Sequence, residues 1–211
     1  MNIPTKITMA RIVLVVAMLL GLFVCSLIPD FQAPLLGDSG INLVYLLACV
    51  VFIVASTTDW LDGYLARKWH QVTDLGKFLD PIADKLLVNS SLIFLVFPFG
   101  FATGQTTFIP VFCVIVMIAR DLVVDALRLV AAKKNEVIAA NIFGKLKTVF
   151  QMVAIPFVFL NGWPFNQFDA SWPSALRITM WLVYLATAMS LISGVIYVVQ
   201  NFRVLKEKQG E

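Results

Sequence analysis

The chain has 211 residues, of which 60% are hydrophobic and only 14% are charged, and its formal net charge is +3. A soluble domain of this length cannot bury so much apolar surface in one core, so the composition excludes a soluble globular protein and indicates a protein of the lipid bilayer. The small net charge gives no reason to expect a nucleic-acid partner.

Six apolar segments predict an all-α, polytopic membrane protein with six transmembrane helices. They run approximately over residues 11–28, 41–59, 77–98, 108–127, 141–160 and 174–200, and a spanning helix needs about 20 apolar residues. The short stretch before the first segment, with apolar Ile3, Ile7 and Met9, predicts a small amphipathic helix in the membrane interface. We expect residues 1–211 to form one membrane domain.

The lysine and arginine residues indicate how the chain is oriented in the membrane. If the six segments span it, all of the 16 basic residues except Arg177 lie on one side, together with both chain ends. Because basic residues concentrate in cytoplasmic loops, this asymmetry predicts a cell-membrane protein whose two termini face the cytoplasm.

Acidic residues concentrate in one stretch on the same side, TTDWLDGYLARKWHQVTDLGKFLDPIADKLL, which holds five of the 13 carboxylates. Asp59 and Asp62 are three residues apart at the end of the second segment, and Asp80 and Asp84 are four apart near the start of the third. These spacings place side chains on one face of a helix. Because the two segments are antiparallel neighbours, we expect the four carboxylates to converge at the cytoplasmic end.

Four carboxylates at one place in a membrane must bind either protons or cations, since each central charge costs about 2.5–3.5 kcal/mol even on lenient insertion scales. Two divalent ions would cancel the four charges, and oxygen ligands suit Mg²⁺ or Mn²⁺. Paired metal ions are the usual device for phosphoryl transfer. Nearby Gly63, Ala66 and Gly76 leave room for a ligand or a close helix, and the planar fork of Arg67 can hold a phosphate.

The fixed positions from Asp59 to Asp84 spell D-x2-D-G-x2-A-R-x8-G-x3-D-x3-D, which resembles the signature of the CDP-alcohol phosphatidyltransferase family. The resemblance implies an enzyme that transfers a phosphatidyl group from CDP-diacylglycerol to an alcohol and releases CMP at the cytoplasmic membrane surface. It also implies two divalent cations, Mg²⁺ or Mn²⁺, and a homodimer.

The resemblance further implies a role for each residue of the signature. Asp59, Asp62 and Asp80 would be metal ligands, and Asp84 would be the general base that takes the proton of the acceptor hydroxyl and also touches a metal. The CDP pocket would be lined by Asp62, Gly63, Ala66, Arg67 and Gly76.

Three further stretches, NIPTKITMAR, ARDLVVDALR and GKLKT, resemble the branch of the family that makes phosphatidylglycerophosphate, whose acceptor is glycerol 3-phosphate. A phosphorylated acceptor needs cations beside the site, and we expect Arg120, Lys145 and Lys147 to supply them. Arg11 and Arg128 are left out of this set, and an internal ion pair explains Asp121, Asp125 and Arg128 more simply.

Two alternatives stay open. The Arg-Asp pair at Arg120 and Asp121 also resembles cardiolipin synthases of the same family, whose acceptor is phosphatidylglycerol, and the glycerol 3-phosphate branch commonly has Glu at the second position. From another class, intramembrane carboxylates also mark ion pathways, so a divalent-cation transporter is the rival. A transporter favours polar residues near the midplane and broken helices, whereas these aspartates cluster at one end.

Overall fold

The structure, a computed structural model, describes residues 2–37, 40–69, 73–134 and 142–202 and is predominantly helical. The elements in chain order are the helix α1 (Ile3–Leu27), the two-residue antiparallel strands β1 (Leu35–Leu36) and β2 (Ile41–Asn42), and the helices α2 (Leu43–Lys68), α3 (Asp74–Phe94), α4 (Val111–Lys133), α5 (Ile142–Phe159), α6 (Asn166–Asp169) and α7 (Ile178–Gln200). The prediction of a helical membrane protein is therefore confirmed in this general form.

Four helical stretches within the described residues are long and apolar enough to cross a membrane, namely Ile3–Leu27, Leu43–Leu65, Ile142–Phe159 and Ile178–Gln200. Helices α3 and α4 lie at the third and fourth predicted segments but are not among them, because both carry several charged residues. The prediction of six spans is not confirmed. The separate interfacial helix is not confirmed either, since α1 runs unbroken from Ile3 with Pro4 in its first turn.

The chain forms two compact units. Unit 1 comprises Met1–Phe108 and Ile155–Ile178, and unit 2 comprises Ile109–Ala154 and Thr179–Glu211. In unit 1, α1 packs against both α2 and α3. The buried face of α1 repeats every three or four residues, as expected for a helix packed along one side; it includes Thr5, Thr8, Arg11, Val15, Met18 and Leu22.

At the opposite end of unit 1, Asn161 joins three loops. Its side-chain amide donates to the carbonyls of Gly40 at 3.3 Å and Gly104 at 2.9 Å, and its Oδ1 accepts from the backbone N–H of Thr106 at 2.9 Å. Since buried loop backbone must find such partners, this one side chain joins its own loop to two others and satisfies backbone groups of both. The acidic ends of α2 and α3 are contacted instead by α1.

Unit 2 is built around the side chain of Arg120 on α4. Its Nη2 donates to Ser193 Oγ on α7 at 2.5 Å. A Cβ placed on Gly194 would lie 3.0 Å from Arg120 Cγ, and one placed on Gly144 would lie 3.0 Å from Arg120 Nη2. The two glycines therefore let α7 and the start of α5 approach this arginine closely.

Candidate active site

The end of α2 and the start of α3 bring aspartates of both helices to one hydroxyl. Thr8 Oγ1 on α1 lies 3.2 Å from Asp62 Oδ2 and 2.9 Å from Asp80 Oδ1, so its single hydroxyl proton is shared between these two acceptors. Asp62 is only 3% exposed, whereas Asp80 is half-buried. The carboxylates of the two helices are thus separated by a single side chain from α1.

Arg11, one helical turn beyond Thr8, lies between the two aspartates of α2. Its Nη1 donates to Asp59 Oδ1 and its Nη2 to Asp62 Oδ2. The side chain of Arg11 is 0% exposed, and that of Asp59 is 44% exposed. A buried guanidinium is tolerated only when its charge is paired, so the two carboxylates account for the position of Arg11.

The N-terminus of α3 is fixed to the N-terminus of α1. Thr73 Oγ1 accepts from the N–H of Gly76 at 3.0 Å, which caps the helix, and it lies 2.8 Å from Thr5 Oγ1. A Cβ on Gly76 would lie 3.1 Å from Thr73 Oγ1, so a larger residue would disturb this cap. The contact fixes the start of α3 relative to α1, and with it the position of Asp80 on that helix.

The remaining residues of the signature lie nearby in the chain. Asp84 is half-buried one turn after Asp80 on α3, and Gly63 follows Asp62 on α2. The side chains of Ala66 and Arg67, which we expected in the CDP pocket, lie outside the described residues.

The donor chemistry of the site suits a hard cation. Carboxylate oxygens from Asp59 and Asp62 already converge on one positive charge, the guanidinium of Arg11, and carboxylates are the ligands that Mg²⁺ and Mn²⁺ prefer. Within the ranges that the structure describes, no group of three or more His, Cys, Asp or Glu side chains is arranged to hold a metal ion. Two of the four carboxylates that we expected to be metal ligands, Asp59 and Asp62, here have the Arg11 guanidinium as their partner.

In unit 2, Asp121 lies between two cations. Its Oδ1 accepts from Arg120 Nη1 at 3.0 Å, and Lys147 Nζ donates to both of its oxygens at 2.8 and 2.6 Å. The side chains of Lys147 and Asp121 are only 6% and 14% exposed. Arg128 donates instead to the Tyr197 hydroxyl at 2.9 Å.

Of the three expected phosphate contacts, the structure therefore brings Arg120 and Lys147 together around one carboxylate. Lys145, the third, is exposed near the start of α5. We expected Asp121 to take part in an internal ion pair with Arg128. In the structure its partners are Arg120 and Lys147.

The sequence of the chain matches one known protein family. The sequence model described as CDP-alcohol phosphatidyltransferase matches residues 1–192. The chain belongs to the CDP-alcohol phosphatidyltransferase family. The resemblance inferred from the aspartate signature is thereby confirmed.

Three similar proteins carry the name CDP-diacylglycerol–glycerol-3-phosphate 3-phosphatidyltransferase. The Bacillus subtilis (strain 168) protein is 42% identical over 207 residues, which cover 97% of each chain. The Mycoplasma pneumoniae protein is 36% identical and covers 98% of this chain and 90% of its own. The Haemophilus influenzae protein is 33% identical over 195 residues, 90% of each chain.

The sequence interpretation missed two residues that contact the aspartates of the candidate site, Thr8 and Arg11. From the sequence alone, Arg11 is one more basic residue at the cytoplasmic end of the first apolar segment. The available signal was the spacing of Thr5, Thr8 and Arg11, which are three residues apart and continue the face that buries Val15. A threonine-arginine face on an otherwise apolar helix indicates polar partners on a neighbouring helix.

Proposed function

We propose that this protein transfers the phosphatidyl group of CDP-diacylglycerol to sn-glycerol 3-phosphate, giving phosphatidylglycerophosphate and CMP. The family match over residues 1–192 and the shared name of its full-length relatives support the reaction. The observation that carries the proposal is the meeting of Asp59, Asp62 and Asp80 around α1 within the family signature.

We assign the carboxylates to metal binding. Asp59, Asp62, Asp80 and Asp84 would hold two divalent cations, Mg²⁺ or Mn²⁺, and the oxygen donors and the cation already seated on two of them support this assignment. When bound, such ions would supply positive charge beside the pyrophosphate of the donor. Asp62, Gly63, Ala66, Arg67 and Gly76 would hold the CDP group.

The reaction itself needs one proton acceptor. The acceptor hydroxyl forms a bond to the phosphatidyl phosphorus, the bond from that phosphorus to CMP breaks, and Asp84 takes the hydroxyl proton. Asp84 suits this role because it is half-buried and lies one helical turn after Asp80 on α3. The donor keeps its two acyl chains in the bilayer while its phosphates stay at the headgroup level.

We further propose that Arg120, Lys145 and Lys147 bind the phosphate of the acceptor. An anionic acceptor requires cations, and Arg120 and Lys147 are held side by side by Asp121. A phosphate would replace or share the contacts that Asp121 now makes, whereas exposed Lys145 is available from the solvent side.

The membrane arrangement completes the proposal. We propose one membrane domain over residues 1–211 with six spanning helices and a short interfacial start, both termini and the active site on the cytoplasmic side of the cell membrane, and a homodimer. The charge asymmetry of the sequence supports the orientation, and the four apolar helices support a membrane location. The homodimer and the remaining two spans follow from the family resemblance and the apolar segments of the sequence.

The test follows CMP release by purified protein in mixed micelles with CDP-diacylglycerol and Mg²⁺. We expect release with glycerol 3-phosphate, loss of release with a chelator, and a loss of about 10²–10⁴-fold in Asp84→Asn. Asp74→Asn is the matched control, since Asp74 is exposed in the first turn of the same helix.

Other outcomes would contradict defined parts of the proposal. Release with phosphatidylglycerol alone would move the protein to cardiolipin synthesis. A divalent-cation transporter would be indicated by two results together. No acceptor would give CMP release, and proteoliposomes would take up divalent ions unless the protein carried Asp80→Asn. Near-normal activity of Asp84→Asn would remove that residue as the base.

A further inference from the structure

One cationic side chain from outside the family signature is seated on two of its aspartates. Arg11 belongs to α1, whereas Asp59 and Asp62 belong to α2, and each terminal nitrogen of the guanidinium donates to a different carboxylate. A guanidinium can do this because its donors are fixed in one plane, whereas the ammonium of a lysine is a single point charge.

The burial of Asp62 makes this contact necessary. Asp62 is only 3% exposed, so solvent cannot compensate its charge and a protein group must do so. Its Oδ2 accepts from both Arg11 Nη2 and Thr8 Oγ1. One of the two oxygens of this proposed metal ligand is therefore already occupied by two donors.

The start of α1 is held in place, which limits how Arg11 can release the oxygens of Asp59 and Asp62. Thr5 contacts Thr73 and Thr8 contacts Asp80, so the first turns of α1 are held against α3. Release of the two aspartates therefore requires movement of the Arg11 side chain rather than of the helix. Its Nε is buried and has no hydrogen-bond partner among the described residues, so only the two terminal nitrogens hold it in place.

We propose that Arg11 is a positioning residue that holds Asp59 and Asp62 together in the metal-free protein and competes with the metal for their oxygens. This inference rests on the proposed function, in which the same carboxylates are metal ligands. It predicts that removing the guanidinium weakens the metal-free fold and strengthens metal binding.

The test measures Mn²⁺ binding by electron paramagnetic resonance and thermal unfolding in detergent, both without substrate. We expect Arg11→Met to bind Mn²⁺ about tenfold more tightly than the unmodified protein, which is about 1.4 kcal/mol. Its metal-free unfolding temperature should fall, and Mn²⁺ should raise that temperature by more than in the unmodified protein. Lys6→Met is the control, because Lys6 is exposed on the same helix, and both measurements should stay unchanged.

Asp62→Asn separates failure of this inference from failure of the proposed metal site. If the unmodified protein binds no Mn²⁺, or if Asp62→Asn binds it equally well, the metal assignment itself is wrong. If Asp62→Asn loses binding while Arg11→Met binds with unchanged or lower affinity, the metal assignment stands and the competition is refuted.

Arg11→Lys keeps the test decisive if Arg11→Met does not fold. It retains one charge but cannot span both carboxylates, so its Mn²⁺ affinity should also rise and its metal-free stability should also fall. Mn²⁺ affinity and stability equal to those of the unmodified protein would refute the proposal.

Discussion

The ion pair between Lys147 and Asp121 allows a quantitative test of how unit 2 is held together. Lys147→Met removes two short contacts, but Asp121 keeps Arg120 at 3.0 Å. The loss is therefore that of hydrogen bonds to a charged group whose charge remains compensated, about 1.5–3 kcal/mol. Asp121→Asn instead leaves Lys147 and Arg120 close together without the carboxylate between them, and breaking a buried pair in this way costs about 3–5 kcal/mol.

The two substitutions should therefore be unequal and non-additive. We expect Asp121→Asn to destabilise the protein more than Lys147→Met does. The double variant should be more stable than the sum of the single losses predicts, because removing Lys147 relieves the cation that Asp121→Asn leaves uncompensated.

The assay is denaturant unfolding in mixed micelles, followed by tryptophan fluorescence; Trp181 on α7 is a reporter within unit 2. Lys145→Met is the control, since Lys145 is exposed two residues before Lys147. A cost of Lys147→Met equal to or above that of Asp121→Asn would refute the reasoning. So would an Asp121→Asn variant as stable as the control.

Three further predictions each concern a single residue. Thr8→Val removes the hydroxyl that donates to Asp62 and Asp80 and should cost about 1.5–3 kcal/mol in the same unfolding assay, whereas Thr8→Ser should restore most of it; equal stability of both variants would contradict the bridging role. Lys145→Gln should raise the KM for glycerol 3-phosphate and leave the KM for CDP-diacylglycerol unchanged, and unchanged acceptor kinetics would remove Lys145 from the site. Gly194→Ala places a Cβ 3.0 Å from Arg120 Cγ and should lower the unfolding temperature; Gly21→Ala, where a Cβ meets nothing within 4 Å, should not.

Local features of the site could be predicted because they depend on helix periodicity alone. The spacing of Asp59 and Asp62 fixes both on one face of α2 wherever that helix lies, and a match to the family over residues 1–192 confirms the resemblance drawn from the signature. Hydropathy predicted helices for the same reason, since about 20 apolar residues must satisfy their backbone internally.

The remaining features of the fold and of the site depend on which helices contact each other. The composition of the sequence does not contain that information. Arg11 counts as one more basic flank in a charge tally, and only the packing of α1 against α2 shows that it is buried between two aspartates. The charges of α3 and α4 likewise lower their hydropathy, so length and composition cannot distinguish a spanning helix with internal ion pairs from one that stays outside the bilayer. Asn161 joins three loops through tertiary contacts that no local pattern predicts.

The two units carry buried ion groups of opposite sign. In unit 1 a cation, Arg11, lies between two carboxylates, and in unit 2 a carboxylate, Asp121, lies between two cations. In each case the central side chain has a charge of the same sign as the ligand that we propose for its neighbours. That ligand is a metal ion in unit 1 and a phosphate in unit 2. Such a group keeps its neighbours compensated when no ligand is bound, because buried charges of one sign would otherwise repel. The same group must give up contacts when the ligand arrives. Stability of the ligand-free protein and affinity for the ligand are then set by the same side chains, and removing the central one should change the two in opposite directions.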